Sequence, residues 1–454
     1  MKEEKKQLFV GAGKAALTYP EGFFPHRSFR GRYFNGVLED IYARAIVICR
    51  EHEKMVFVGI EAGDVGDDWI EAIARTAGVS AEYVFITASH THAAPHIGGF
   101  WPEDVVDVDM GNQFKELCRG RVLEAVKAAM EAVQPAVMSV GTARCDINVN
   151  RDYKYTGTDG KINVPYIQAP NPEGISDKNV YIVQFQSAKN ELLACMFNYA
   201  VHSCVTFYQT WEDGEGMLVN GDIAGRAMKY VEDRRKNCVA MFTMGACADQ
   251  SPKYLANRRV FDGNGNASWE YYGRKEGIAL MDAQAVSLGA AVMAGLEKCR
   301  VSPGTAGIRA VTAEITLESK LEGTGNAAQK HRAENDYASQ YKETIDKDFQ
   351  YIRQENIDMP LFMAAADHSV FVGIPAEIVT KTGIRIREIV KSELGMDAII
   401  ISQCNNAYSY ITDDEGYRER TFEAFASHFM PGTEARILKG VRELAEKLKK
   451  GGSR

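Results

Sequence analysis

Three of the chain's nine histidines, His90, His92 and His96, crowd into Ser89-His90-Thr91-His92-Ala93-Ala94-Pro95-His96. In extended backbone, residues i and i+2 point to the same side, so His90 and His92 can converge on one ion or one substrate. Neutral imidazole is the commonest protein metal ligand, although the same pattern suits histidines hydrogen-bonded in a polar loop; spacing alone leaves both readings open. His202 ends the apolar run Phe197-Asn198-Tyr199-Ala200-Val201 and is equally a ligand or a hydrogen-bonded residue at a strand end. Glu377 follows Gly373-Ile374-Pro375-Ala376 at the expected start of a helix, where a carboxylate ordinarily compensates the helix dipole rather than binding metal. Gly245 to Pro252 supplies small residues that let backbone approach a ligand. Asn405 to Thr412 brings two closely spaced tyrosines, Tyr408 and Tyr410.

Each cluster stands just past an apolar run of strand length. The periodicity predicts strands at 45–49, 55–60, 83–88, 137–141, 180–185, 192–199, 239–243, 371–374 and 398–402. Helices are expected at 69–77, 113–133, 225–235, 279–297, 377–393 and 433–450. Strands interleaved with helices point to the α/β class: a large mixed α/β body, central sheets flanked by helices, with the metal site at strand C-terminal ends. No linker divides the chain, so residues 1–454 are expected to form one domain. Two stretches break the pattern: a long loop at 152–177 and a charged, helical segment at 323–358, a candidate surface insertion or interface helix. A homo-oligomer is among the expectations.

The 454 residues carry 53 basic against 61 acidic side chains, a net charge of −8, with 45% hydrophobic residues. That balance, without a long basic run, argues against nucleic acid or an anionic membrane as the main partner. The first residues lack a secretory pattern, and no segment reaches the ~18 apolar residues of a membrane span. Nine scattered cysteines without a CxxC pair suit free thiols in a reducing cytosol, so a cytoplasmic location is expected, without stable membrane association.

In order along the chain, Val10-Gly11-Ala12-Gly13, Thr87-Ala88-Ser89-His90-Thr91-His92-Ala93-Ala94-Pro95, Asn150-Arg151, Asn198-Tyr199-Ala200-Val201-His202, Asn220-Gly221-Asp222, Asp249-Gln250-Ser251-Pro252, Pro375-Ala376-Glu377 and Tyr408-Ser409-Tyr410-Ile411-Thr412 form a recognisable series. The chain resembles the neutral/alkaline, non-lysosomal ceramidases, zinc hydrolases that cut the amide of N-acyl sphingosine. The resemblance implies Zn²⁺ held by His90, His202, Glu377 and Tyr410. It makes His92 a group facing the substrate or supporting the ligands rather than a ligand. Arg151 and Ser251 fall where the family places substrate-contacting and activity-essential groups.

Zinc-activated water would attack the carbonyl carbon, with Tyr410 or His92 donating to the oxyanion and His92 protonating the leaving amine. Some positions depart from the family pattern. Tyr408 and Tyr410 are two apart where the family spaces its tyrosines three apart, and Phe422 replaces a tyrosine. Ser203-Cys204 and Asp249-Gln250 vary the usual neighbours of their motifs, and the family's C-terminal sandwich domain is expected to be missing. The expected reaction is hydrolysis of a C–N amide bond in a small or soluble N-acyl compound. Alternatives are an ester or lactone substrate, true ceramide, or a non-catalytic ligand-binding protein.

Overall fold

The computed structural model describes residues 7–27, 33–66, 68–97, 107–154, 167–207, 216–261, 267–301, 307–320, 351–367 and 369–451. Two β-sheets form its centre. The larger runs Val239–Met244, Leu192–Tyr199, Asn179–Ser187, Gln134–Arg144, Leu8–Ala16, Tyr42–Arg50, Glu53–Ile60, Val84–Ala88, with Arg300–Val301 added beside Gln134–Arg144. Its two outermost pairs are parallel and the inner ones antiparallel. The smaller runs Ile308–Glu318, Asn356–Ala366, Ser369–Ile374, Asp397–Ser402, its last pair parallel.

Period-two alternation dictates how the layers stack. In Tyr42–Arg50, Ile46 and Ile48 face one way while Ala43, Ala45 and Val47 face the other; in Ser369–Ile374, Phe371 opposes Val370, Val372 and Ile374. Strands apolar on both faces must be covered on both. One face of each sheet therefore meets the other sheet, in a core that holds Ile46, Phe57, Phe85, Met196, Phe371 and Ile399. The outer faces carry helices: Trp69–Ala77 and Val108–Glu131 on one half of the larger sheet, Asp222–Arg234 and Arg274–Leu296 on its other half. Thr380–Leu394 and Thr433–Lys450 cover the smaller sheet.

Sequence and structure part at several boundaries. The second helix begins at Val108 rather than near 113, because Asp107 caps it by accepting the Met110 N–H at 3.0 Å. The expected loop at 152–177 contains the strand Ile167–Asn171, which pairs with Asn148–Tyr153; residues 155–166 lie outside the described part. The expected helical segment at 323–358 lies mostly outside it too, and Asn356 opens a strand instead. Glu377 is not in a helical first turn: Glu377–Ile378 is a short strand parallel to Tyr410–Ile411, and the helix starts at Thr380.

One residue ties the sheet ends together. Asn405 places its side chain on the open edge of Val84–Ala88, accepting from Ile86 N at 2.8 Å and donating to Val84 O at 2.9 Å. Its backbone N–H donates to Ile86 O at 2.8 Å, while Asn198 of the larger sheet donates to Ile400 O of the smaller at 2.7 Å. These bonds satisfy edge groups that would otherwise be stranded between two apolar layers.

Candidate metal centre

The connections past the C-terminal ends of Val84–Ala88, Leu192–Tyr199, Ser369–Ile374 and Asp397–Ser402 meet at one point. His90, two residues past its strand, takes a positive φ of 55°. Its Nδ1 lies 2.8 Å from Gly63 O, and the Nδ1 of His202 lies 2.9 Å from Gln250 O. A carbonyl can only accept, so each bond places a proton on Nδ1, and in the neutral ring Nε2 then carries the lone pair. Those lone pairs converge on Glu377: His202 Nε2 is 3.0 Å from Oε2, and His90 Nε2 is 3.6 Å from Oε1. Gln403 donates to the same Oε1 at 3.1 Å.

His92 stands closer to this point than alternation along a strand requires. Its Nε2 lies 3.2 Å from His90 Nε2, and ligand nitrogens of His90, His92 and His202 all fall within 4.8 Å of one another. The Phe207 ring closes over it at 4.5 Å between centroids. Tyr410 pairs with Glu377 across the short parallel sheet, and the Arg151 guanidinium lies over its ring at 5.6 Å, whereas Tyr408 packs against the core of the smaller sheet. Arg151 reaches in from Asn148–Tyr153, with Nη1 3.4 Å from His202 Nε2. Ser251 lies on Gln250–Pro252, the strand whose Gln250 carbonyl orients His202, and is 8% exposed.

Burial and neighbouring charge set the protonation states. Burial pushes the Glu377 carboxyl up, but His90, His202 and Arg151 overcome it and hold the group at about 2. Burial and the Arg151 cation push His202 down to about 4. His92 is driven well below the usual imidazole range by burial and by the neighbouring histidines. Burial beside Glu377 raises the Tyr410 phenol above its ordinary value. An ionised carboxylate, two imidazoles whose Nε2 atoms face it and a phenol oxygen form a donor set that fits a zinc ion.

Several groups here went unread in the sequence. Glu423, 0% exposed, accepts from Arg151 Nε at 3.0 Å and anchors the guanidinium. Asp64 faces His90 and Glu377, and burial raises it to about 6. Its only sequence signal is position, in the Glu61-Ala62-Gly63-Asp64 exit of Glu53–Ile60, the parallel neighbour of Val84–Ala88. Gln403 and Phe207 carried no signal, since neither type is diagnostic. Residues 98–106, which follow the histidine cluster in sequence, lie outside the described residues.

Comparison with known proteins adds four findings. A family model described as neutral/alkaline non-lysosomal ceramidase, N-terminal, matches residues 29–264. Among solved structures, a neutral ceramidase from Pseudomonas aeruginosa is similar at TM-score 0.72 and 17% identity, over 99% of this chain and 75% of that one. A ceramidase complexed with C2 is similar at TM-score 0.71 and 16% identity, over 98% and 76%. No curated protein matches. At such identities the structural likeness establishes the shared fold.

Proposed function

The chain belongs to the neutral/alkaline non-lysosomal ceramidase family of hydrolases, and we propose that it is a zinc-dependent amidohydrolase acting on a small or water-soluble N-acyl compound. The observation that carries the metal reading is the pair of oriented imidazoles, His90 and His202, whose Nε2 atoms face Glu377 at 3.6 and 3.0 Å. His90, His202, Glu377 and Tyr410 would hold the ion. A zinc ion bound there supplies Lewis acidity and lowers the pKa of its water to about 7.

The chain's own residues then divide the remaining work. Gly63 O and Gln250 O keep both imidazoles in the ligand tautomer. Glu377 stays ionised throughout the neutral range. Arg151, held by Glu423 and lying over the Tyr410 ring, offers a fixed positive charge where a carbonyl oxygen gains negative charge. His92, kept neutral at working pH, can take the proton released as water attacks and return it to the leaving amine.

The substrate reading rests on the net charge of −8, which opposes approach to an anionic bilayer, and on a site edged by Asp64, Arg151 and Tyr410. All nine cysteines are unpaired, which supports a reducing cytoplasmic setting. The test is kcat/KM for short N-acyl amino acids and N-acyl amines beside detergent-dispersed ceramide, matched esters and lactones, before and after chelation and zinc return. Soluble amides should lead, and activity should follow zinc. Ceramide outpacing every soluble compound would overturn the substrate assignment, and activity surviving complete zinc removal would overturn the metal one.

A further inference from the structure

We propose that Asn220-Gly221-Asp222, which takes no part in the chemistry above, is the clamp that sets the distance between the two histidine-bearing loops, with Asp222 as its positioning residue. The main chain of Asn220 grips the first loop. Its carbonyl accepts from Thr91 Oγ1, between His90 and His92, at 3.0 Å, and its N–H donates to Ala93 O at 2.9 Å. The Asp222 carboxylate grips the second loop. It accepts from Val205 N at 3.1 Å, Thr206 N at 3.0 Å and Thr206 Oγ1 at 3.0 Å, just downstream of His202.

The next residue on that turn is Phe207, whose ring rests on His92. One carboxylate thus bears on His202 from one end of the turn and on His92 from the other. The loops also touch directly, through the Thr91–Ser203 bridge and the His92 N–H donated to Ser203 O at 2.9 Å. The clamp holds what that contact brings together.

An ordinary helix start does not account for this arrangement. Asp222 opens the helix Asp222–Arg234 and accepts the Ile223 N–H at 2.8 Å, but its other three donors belong to the neighbouring loop. It is 0% exposed and sits at φ 49°, a left-handed conformation that persists in a non-glycine residue only where the surroundings impose it. Gly221 lets the segment lie directly on the buried Glu61–Arg44 pair: a Cβ there would come within 2.2 Å of Glu61 Oε2.

The proposal uses the metal reading for one arm of its test only. Asp222→Gly removes the carboxylate yet accepts the positive φ; Asp222→Asn keeps the φ and one acceptor oxygen. Met228→Ala, on the same helix and 3% exposed in the core, is the control for destabilisation alone. Each variant would be measured for zinc affinity against a chromophoric chelator, for Tm, and for amide hydrogen exchange over residues 203–207 in the metal-free state.

Asp222→Gly should bind zinc about 10- to 100-fold more weakly, the usual scale for groups that orient ligands, and should lose protection over 203–207. Asp222→Asn should fall between it and the parent. Met228→Ala should lower Tm while keeping zinc affinity and local protection. Equal affinity and protection in Asp222→Gly and Met228→Ala at matched Tm loss would overturn the clamp. If Asp222→Gly does not fold, Thr206→Val removes a single donor; it should shift both readouts in the same direction, and no shift would overturn the proposal. A parent protein that binds no zinc would overturn the metal reading, leaving exchange over 203–207 to decide the clamp.

Discussion

His202 meets Glu377 at 3.0 Å as a neutral imidazole beside an ionised carboxylate, and its titration is open to direct measurement. In the metal-free protein, NMR should show His202 half-protonated near pH 4 rather than near 6.5. The folded value is depressed, so the unfolded chain binds the proton first, and the stability this residue contributes is lost as pH falls from about 6.5 to about 4. His202→Gln should flatten the Tm-against-pH curve in that window; an unchanged slope would refute the assignment. Ligand variants separate roles at the same scale. His90→Ala and Glu377→Ala should each lose zinc by elemental analysis, while His92→Ala should keep it and lose turnover about 100-fold or more, within the range of a proton-transfer group. Full zinc in the Glu377 variant would be the contrary result. Tyr410→Phe should reduce activity more than Tyr408→Phe, because Tyr410 is the one that pairs with Glu377 and lies beneath Arg151.

Among elements, the decisive one is the junction where Asn405 plugs the edge of Val84–Ala88. Replacing it by Ala removes two side-chain hydrogen bonds and leaves the Ile86 N–H and the Val84 C=O buried without them. At ~1 kcal/mol per bond, and more for a stranded buried partner, Asn405→Ala should cost about 2–4 kcal/mol in urea unfolding. A cost under about 0.5 kcal/mol would mean the junction is not held this way. The residue also sits at φ 68°, which Asn tolerates better than most residues. Nothing in the spacing of Asn405-Asn406 announced this task, since its partners lie more than 300 residues away in sequence. The strands themselves were legible, because apolar runs of strand length need only local reading; Val84–Ala88, Leu192–Tyr199 and Asp397–Ser402 fall within a residue or so of expectation. The Pro375-Ala376-Glu377 sequence favours a helix start locally, yet Glu377 lies in a strand. Pairing with Tyr410–Ile411 in space overrode that preference.

On the scale of the whole molecule, the site exists because two sheets pack face to face and their strand exits meet. Phe371 sits at that contact, 4.7 Å from the Phe57 ring, and is 0% exposed. Phe371→Ala should destabilise by about 3–5 kcal/mol through lost burial and the cavity left behind. It should also weaken zinc binding, because ligands from the two sheets would lose their common register. Normal zinc affinity in a variant so destabilised would show that the site is held by its loops alone. The sequence by itself determined the α/β class and the order of motifs that marks the family, because these depend on local periodicity and residue chemistry; it points to His90, His202 and Glu377 as ligands only through that resemblance. Only the tertiary structure decided that the strand exits belong to two sheets rather than one, that Tyr410 rather than Tyr408 faces Glu377, and that Glu423, Gln403, Asp64 and Asp222 surround the site. Those contacts join residues dozens to hundreds of positions apart, and the side-chain period of a strand carries no information about which distant strand will cover its other face.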